Sequence, residues 1–337
     1  MLRRITRIRP SVFPIVEAHE ILLRVCRGDP ITDCEIDRIE QLAAQGAGPA
    51  GHRGWGLGMP WMSKNGLYRR DVPLVTHTLY VMEALLALGR IRELRDRANR
   101  MFLDTWGFLK SLKVMHESES DMAVSYAPVA EPRIVVNANA YAAYGYALHS
   151  RHGAKDRKET AFVKASALAR WVVRQQRPDG EWWYYADRDH GNFVDGFHSC
   201  FVIKNLLKAQ QNVPELRCIA EEAIRKGWQF LKKAALDKDQ GLCRRILMGE
   251  SHQPYRWDLY DQAEFLGLLV DFAEIDEATR FARRVRNLFR RNDHWYCRID
   301  FLGRRWGKDF DRWGILPFLY HESRISAIST HRVRSLS

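Results

Sequence analysis

The sequence predicts an all-α protein, an (α/α) toroid of helical hairpins repeating about every 60 residues. Three observations lead there. Paired leucines hold the same phase in three apolar helices: Leu85-Leu86, Leu206-Leu207 and Leu268-Leu269 lie 121 and 62 residues apart, and Tyr146-Ala147 fills the gap 61 residues after the first pair. The first helix of each pair is rich in small and apolar residues while the second carries the Arg, Lys and Glu, as in a buried inner ring inside a solvated outer one. Between the helices lie turn residues and aromatic loops. In Ala161–Gln211 a helix with Ala165, Leu168, Ala169, Val172 and Val173 on one face stops at Pro178-Asp179-Gly180, because proline cannot continue the ladder and glycine takes the turn. Trp182-Trp183-Tyr184-Tyr185 follow, and a second helix opens near Asp195. Four to six such hairpins can close into a ring; an open superhelix satisfies the same periodicity.

Taken in order, residues 13–27 and 33–45 read as two short helices, the second capped by Thr32 or Asp33. Together, residues 1–50 are expected to form a helical extension packed on the toroid. A glycine-rich, helix-poor stretch then carries Trp55, Trp61 and Tyr68 with Arg53, Arg69 and Arg70. Helices are expected at 74–88 and 93–113, at 134–149 and 158–176, at 195–209 and 215–235, and at 259–272 and 276–290. The segment 311–323 opens one more unit. The toroid is thus expected to span 51–325, with a basic, disordered tail at 326–337.

Composition bounds the function. The 337 residues are 46% hydrophobic, with eleven Trp and a net charge of +12. That is ample for a large core, and the charge favours acidic partners. The six cysteines (26, 34, 200, 218, 243, 297) form no C-x-x-C pair and read as free thiols of a reducing compartment. Pro10, Pro14, Glu17 and Glu20 interrupt any signal-like apolar run, and no segment approaches the ~18 residues of a membrane span. A soluble, cytoplasmic protein is expected, with a peripheral membrane contact open to the basic N-terminus. Oligomeric state is not legible.

WVVRQQRPDGEW (171–182) resembles the Q-x-x-D-G-x-W turn of terpene cyclases, protein prenyltransferases and other α/α toroids. GWGLGMPWMSKNGLYRRDVPLVTHTLYVMEALLAL (54–88) resembles, more closely, toroid proteins encoded with bacterial surface-polysaccharide genes. It is also similar to the helical domains of glucuronyl C5-epimerases and heparinase-type uronic-acid lyases. The likeness covers about residues 50–325. It implies a carbohydrate-active enzyme of polysaccharide biosynthesis acting on an acidic, uronic-acid oligosaccharide or polysaccharide. The lyases carry a further β-sandwich that a chain of this length does not hold.

The leucine alignment defines a column of polar residues in the first turns of the inner helices. His77 aligns with His198 and Tyr260, and Asn137 and Asn139 flank the equivalent position. Thr78, Ser199 and Asp261 lie one residue along, and Asp195 sits one turn before His198. Such residues also serve as helix caps or partners of buried backbone. As a site, they suit removal of the C5 proton of a uronic acid, which needs a base (His or Tyr), an acid, and donors for the carboxylate. The expected catalytic residues are His198, Tyr260, His77, Asp195 and Asp261. Asn137, Asn139 and Arg256 would hold the carboxylate, with Trp55, Trp61, Trp182, Trp183, Trp257 and Trp313 as stacking platforms or plugs of the mouth. Arg244, Arg245, Arg298, Arg304 and Arg305 suit a polyanion or a solvated rim. Glycoside hydrolysis, which needs two carboxylates, would draw on Asp195, Asp258, Asp261 or Glu264. A non-catalytic glycan-binding toroid is a further reading, and an isoprenoid cyclase or prenyltransferase-like enzyme another.

Other chemistries find less. DGFHSCF is similar to the zinc-histidine segment of prenyltransferase β subunits, but no D-x-C precedes it to complete a metal set, and the D-x-D-D acid of triterpene cyclases is absent. No cofactor or metal is expected. GAGPAGHRGWG lacks the Lys-Ser/Thr pair of a phosphate loop, and nucleic-acid binding would rest on net charge alone.

Overall fold

The computed structural model describes residues 12–46, 53–187, 189–249 and 255–336. The chain is mostly helical, and eleven α-helices alternate between two layers among the described residues. The inner layer comprises α1 (Pro14–Arg27), α3 (Val75–Leu88), α5 (Val136–His152), α7 (Gly196–Asn212), α9 (Leu259–Asp271) and α11 (Leu316–Leu336). The outer layer holds α2 (Asp33–Gly46), α4 (Arg95–Ser111), α6 (Lys158–Arg174), α8 (Arg217–Ala235) and α10 (Ile275–Phe289). Each inner helix packs on the next, and α11 packs on both α9 and α1, so the ring closes.

The sequence dictates the layering. Alanine, glycine and tyrosine make up most of α5, and every residue from Val136 to His149 is buried; a helix apolar all round belongs inside. In α10 the buried residues Ile275, Ala278, Phe281, Ala282, Val285 and Phe289 fall at three- and four-residue steps, and its arginines face out. Gly227 on α8 marks a close approach: a Cβ there would collide with the Trp182 ring. That ring is buried, and its Nε1 donates to Val172 O at 2.8 Å.

Two expectations about the termini change. Residues 14–46 are not an added extension: α1 is an inner helix between α11 and α3, and α2 is its outer partner. The segment 326–337, expected as a disordered tail, is helical through Leu336, since nothing between Ile325 and Leu336 is a glycine or proline that would end α11. The basic residues at 1–11 lie outside the described residues. No helix among those described is long and apolar enough to cross a membrane.

Among the described residues ten short strands interrupt the helical pattern, and most sit at the end of the ring where the inner helices begin. β1 (Trp61–Ser63) and β2 (Gly66–Tyr68) form a hairpin ahead of α3; β3 (Val114–Glu117) and β4 (Met122–Val124) form another ahead of α5. β5 (Phe193–Asp195) pairs antiparallel with β6 (Ile246–Gly249) and runs directly into α7. β7 (Trp257–Asp258) leads into α9 and pairs with β9 (His294–Ile299), which also pairs with β8 (Arg290–Arg291) and β10 (Arg305–Lys308). These pairs brace the mouth of the toroid. Placing a methyl group at Gly227 should cost about 1–3 kcal/mol through overpacking; urea unfolding of Gly227→Ala checks it, with a midpoint at or above wild type as the contrary result.

Candidate active site

The first turns of the inner helices surround a cavity of about 350 Å³. α3 supplies Thr76, His77 and Tyr80; α5 supplies Asn137 and Tyr141; α7 supplies Phe197, His198 and Phe201; α9 supplies Tyr260. Trp61, Lys64, Tyr126, Tyr184, Arg245, Asp258, Arg298 and Trp313 complete much of the wall from the loops. Of the residues expected from sequence, His77, Asn137, His198, Tyr260, Trp61 and Trp313 therefore meet at one place.

His198 is held from two sides of one carboxylate. Asp195 caps α7: its Oδ1 accepts from His198 N at 2.8 Å, and its Oδ2 lies 2.7 Å from His198 Nδ1. The Asp195 side chain is 3% exposed, so this hydrogen bond is shielded and fixes the tautomer with the proton on Nδ1. Nε2 then carries the free lone pair. Phe197 lies against the His198 ring at 3.8 Å between centroids and against Tyr260 at 5.6 Å, with Tyr184 over the imidazole at 4.4 Å.

His77 is a different histidine. It is buried, its Nδ1 lies 3.1 Å from Thr76 Oγ1, and that hydroxyl also meets Tyr126 OH at 2.8 Å. Burial, reinforced by the nearby charge of Arg312, pushes its pKa down to about 3, so the ring is neutral across the physiological range. Its Nε2 has no hydrogen-bond partner, and neither does Oδ1 of Asn137; both residues line the cavity. Burial and the Glu264 carboxylate hold Tyr260 well above the ordinary phenol range. It is a proton donor at neutral pH and a poor base.

One helical turn below the column, a buried polar floor closes the cavity. Lys204 Nζ pairs with Glu264 Oε2 at 2.6 Å, their side chains 3% and 1% exposed. Lys204 also donates to Tyr80 OH at 2.9 Å, as does Tyr141 OH at 3.0 Å. At the rim Arg245 Nε meets Asp261 Oδ2 at 3.1 Å, its Nη2 lies 3.4 Å from Asp258, and its Nη1 donates to Tyr255 OH at 3.2 Å. Arg298 Nε shares Asp258 at 3.1 Å. Asp258 Oδ1 also caps α9 through Tyr260 N.

Several expected residues serve the scaffold instead. Asn139 clamps backbone, accepting from Val124 N at 2.7 Å and donating to Val124 O and Val135 O. Trp55 is fully buried and donates to Ile39 O at 2.9 Å. Trp182 packs against α8, and Trp257 is buried beneath the Arg256 guanidinium. None of these lines the cavity, and neither does Arg256. Trp183 borders a narrow cleft beside Asn137 and His198. Asp261 sits behind Arg245, where burial pushes its carboxyl up against the pull of that arginine. Asp187 is bound by both Nε and Nη2 of Arg133. Among the described residues no three His, Cys, Asp or Glu side chains are grouped to hold a metal ion.

Tyr80, Tyr141 and Lys204 in the floor, and Phe197 and Tyr126 in the walls, are not among the residues expected from sequence; Glu264, expected only as a hydrolytic carboxylate, joins them in the floor. The signal was present: Tyr80 lies three residues after His77, and Tyr141 and Glu264 lie four after Asn137 and Tyr260, which is one turn down the same faces.

Comparison with known proteins adds the fold. No family model matches the sequence, and a search of curated proteins finds no match. Among solved structures, the cellobiose 2-epimerase from Bacillus thermoamylovorans B4167 is similar over 95% of this chain and 88% of its own, at 8% identity and a TM-score of 0.66. The cellobiose 2-epimerase from Spirochaeta thermophila DSM 6192 is similar over 95% and 87%, at 15% identity and a TM-score of 0.63. Rex8A from Paenibacillus barcinonensis, solved with xylose, is similar over 94% and 82%, at 13% identity and a TM-score of 0.55. At these identities the likeness establishes the architecture: this chain is an (α/α) toroid.

Two predictions follow from the electrostatics. Burial pushes His19 and His149 down to about 4 and His77 to about 3. All three are depressed, so their contribution is complete above pH 6.5 and is lost as the pH falls towards 4, on the order of 3 kcal/mol each. Urea midpoints should drop steeply between pH 6.5 and 4; a flat profile there contradicts neutral buried rings. Lys204→Met should cost about 3–5 kcal/mol by stranding Glu264, and the double variant with Glu264→Leu should recover most of it. Denaturation of the two proteins side by side decides.

Proposed function

We propose that this toroid is a sugar-modifying enzyme that moves a proton at a carbon next to a carbonyl or carboxyl group. Epimerisation or elimination at C5 of a uronic-acid residue is the reading we favour, within bacterial surface-polysaccharide synthesis. The observation that carries it is the His198–Asp195 pair, with Nε2 free in a cavity of sugar size, beside a Tyr260 phenol held protonated. His198 takes the proton. Asp195 stabilises the imidazolium that forms, and Tyr260 donates to the leaving oxygen or the opposite face. Charge developing on the substrate carboxylate is met by Asn137 and by the cationic rim. Lys64, Arg245 and Arg298 line the cavity against one carboxylate, Asp258, and such a field favours an acidic glycan. Asn137 keeps the role expected of it, and in this reading Arg245 and Arg298 take the one expected of Arg256.

Hydrolysis fits less well. It needs two carboxyl groups flanking the bond. Asp258 is the carboxylate lining the cavity among the described residues, and Arg245, Arg298 and the Tyr260 amide already engage it. A second reading is favoured by the similar structures themselves: proton transfer at C2 of a reducing-end sugar, the reaction that the name cellobiose 2-epimerase states. The same base and acid would serve it, with the polar floor facing the open-chain carbonyl.

Incubation in deuterated water with uronic-acid oligosaccharides and, separately, with neutral reducing disaccharides distinguishes the two by proton NMR. Deuterium at C5 supports the first reading and deuterium at C2 the second; ultraviolet absorbance of an unsaturated product marks elimination. His198→Ala and Tyr260→Phe should each lower exchange by about 10²–10⁴-fold. Full exchange in both variants would sink the assignment.

A further inference from the structure

We propose that Arg312 is the docking group for an oxyanion of the bound glycan, a carboxylate or a sulfate or phosphate ester. The inference rests on the acidic-sugar reading above and names the contact that would enforce it.

Arg312 is 2% exposed, and its Nε and Nη2 have no hydrogen-bond partner. Nη1 reaches Met59 Sδ at 3.4 Å, a weak acceptor. The other deeply set cations of the inner ring and rim are neutralised: Lys204 by Glu264, Arg245 by Asp258 and Asp261, and Arg324 by Asp271. Arg312 has aromatic rings instead, Phe13 at 4.6 Å and Trp313 at 4.3 Å from the guanidinium carbon. Rings steady a cation without cancelling its charge. A buried, unpaired guanidinium is costly, and an arrangement that keeps one has a use for the open valence.

The two vacant groups are chemically specific. Nε and Nη2 form one edge of the guanidinium, the edge with which Arg225 grips Glu222 at 2.8 and 2.6 Å. That fork matches two oxygens of one anion. Burial lowers the Arg312 pKa to about 10, which leaves the group charged at neutral pH.

The backbone places it deliberately. Ahead of α11, Asp311–Ile315 departs from helical geometry, with Trp313 at φ −119° and ψ 102° and Gly314 at φ 104°. A Cβ at Gly314 would lie 2.8 Å from Leu259 Cβ and 2.9 Å from Tyr260 N, so the break is pressed onto the start of α9. Such interruptions recur at functional sites. Trp313, the ring stacked on Arg312, lines the cavity with Ile15, Leu57, His77 and Tyr260, and the charge of Arg312 is felt at His77. Arg312 itself stands behind Trp313 and is not part of the cavity lining, so the proposed oxyanion would reach it from the cavity past that ring.

The test compares the full chain with Arg312→Met and Arg312→Lys by calorimetry. The probes are a glucuronate-containing tetrasaccharide and an uncharged glucose tetrasaccharide; inorganic sulfate and phosphate are added in thermal melts. Arg312→Met should lose at least about tenfold in affinity for the charged sugar and none for the neutral one, with Arg312→Lys between. Its melting temperature without ligand should equal or exceed that of wild type, because an unpaired buried charge has gone. Unchanged affinity of either variant for the charged sugar overturns the inference and leaves the acidic-sugar reading standing. A lower melting temperature, or failure to fold, makes Arg312 a structural cation and also overturns it. If wild type binds no charged sugar but sulfate or phosphate raises its melting temperature and not that of Arg312→Met, the oxyanion site stands and the acidic-sugar reading falls. If no probe binds, both fall.

Discussion

α11 packs against α1, and that contact turns a row of hairpins into a ring. An open row would leave α1 and α11 each with an apolar flank in water. Closure covers both, while α5, packed between α3 and α7, is built largely of alanine and tyrosine with hardly a charge. Closure also brings the inner helix starts to one mouth, where four helices contribute His77, Asn137, His198 and Tyr260 to a single cavity.

The site then divides by depth. At the rim, Arg245 and Arg298 are held by the buried carboxylates of Asp258 and Asp261, and Arg298 and Lys64 keep part of their donor capacity towards the cavity. In the middle, His198 is the group with a buried carboxylate behind it and an open nitrogen ahead. At the floor, the Lys204–Glu264 pair and the Tyr80 and Tyr141 hydroxyls are mutually satisfied. Satisfied polar groups in a low-dielectric interior are rigid, which holds the tyrosine rings still beneath the cavity. The two histidines show how strongly environment sorts identical side chains: a carboxylate orients one, while burial beside a cation keeps the other neutral.

Periodicity made the layers legible. Leucine pairs about 60 residues apart located the inner helices, and the charge-rich faces of α8 and α10 located the outer ones. Closure was not legible, because it depends on α1, whose short run Ile15, Ala18, Ile21 and Leu22 reads like any amphipathic helix until its neighbours are known. The polar column leads to the mouth that opens on the cavity. Asn139, two residues round the helix from Asn137, faces the Val124 and Val135 backbone instead of the cavity. Sequence does not sort the tryptophans, because an indole is as useful a plug as a platform: Trp55 and Trp182 each find a carbonyl for Nε1 inside the wall. Arg245 and Arg298 read as surface charge in a string; the pairing of β7 with β9 is what carries Arg298 to Asp258.

The floor has a consequence for what the molecule can handle. With Tyr80, Tyr141 and the Lys204–Glu264 pair filling the axis, the funnel is blind, a cup rather than a tunnel. A long polymer cannot be threaded through it, and whatever enters must leave by the same opening. A cup of this shape admits a chain terminus, a short oligomer or a bend laid across the lip, and not a strand passing through the ring.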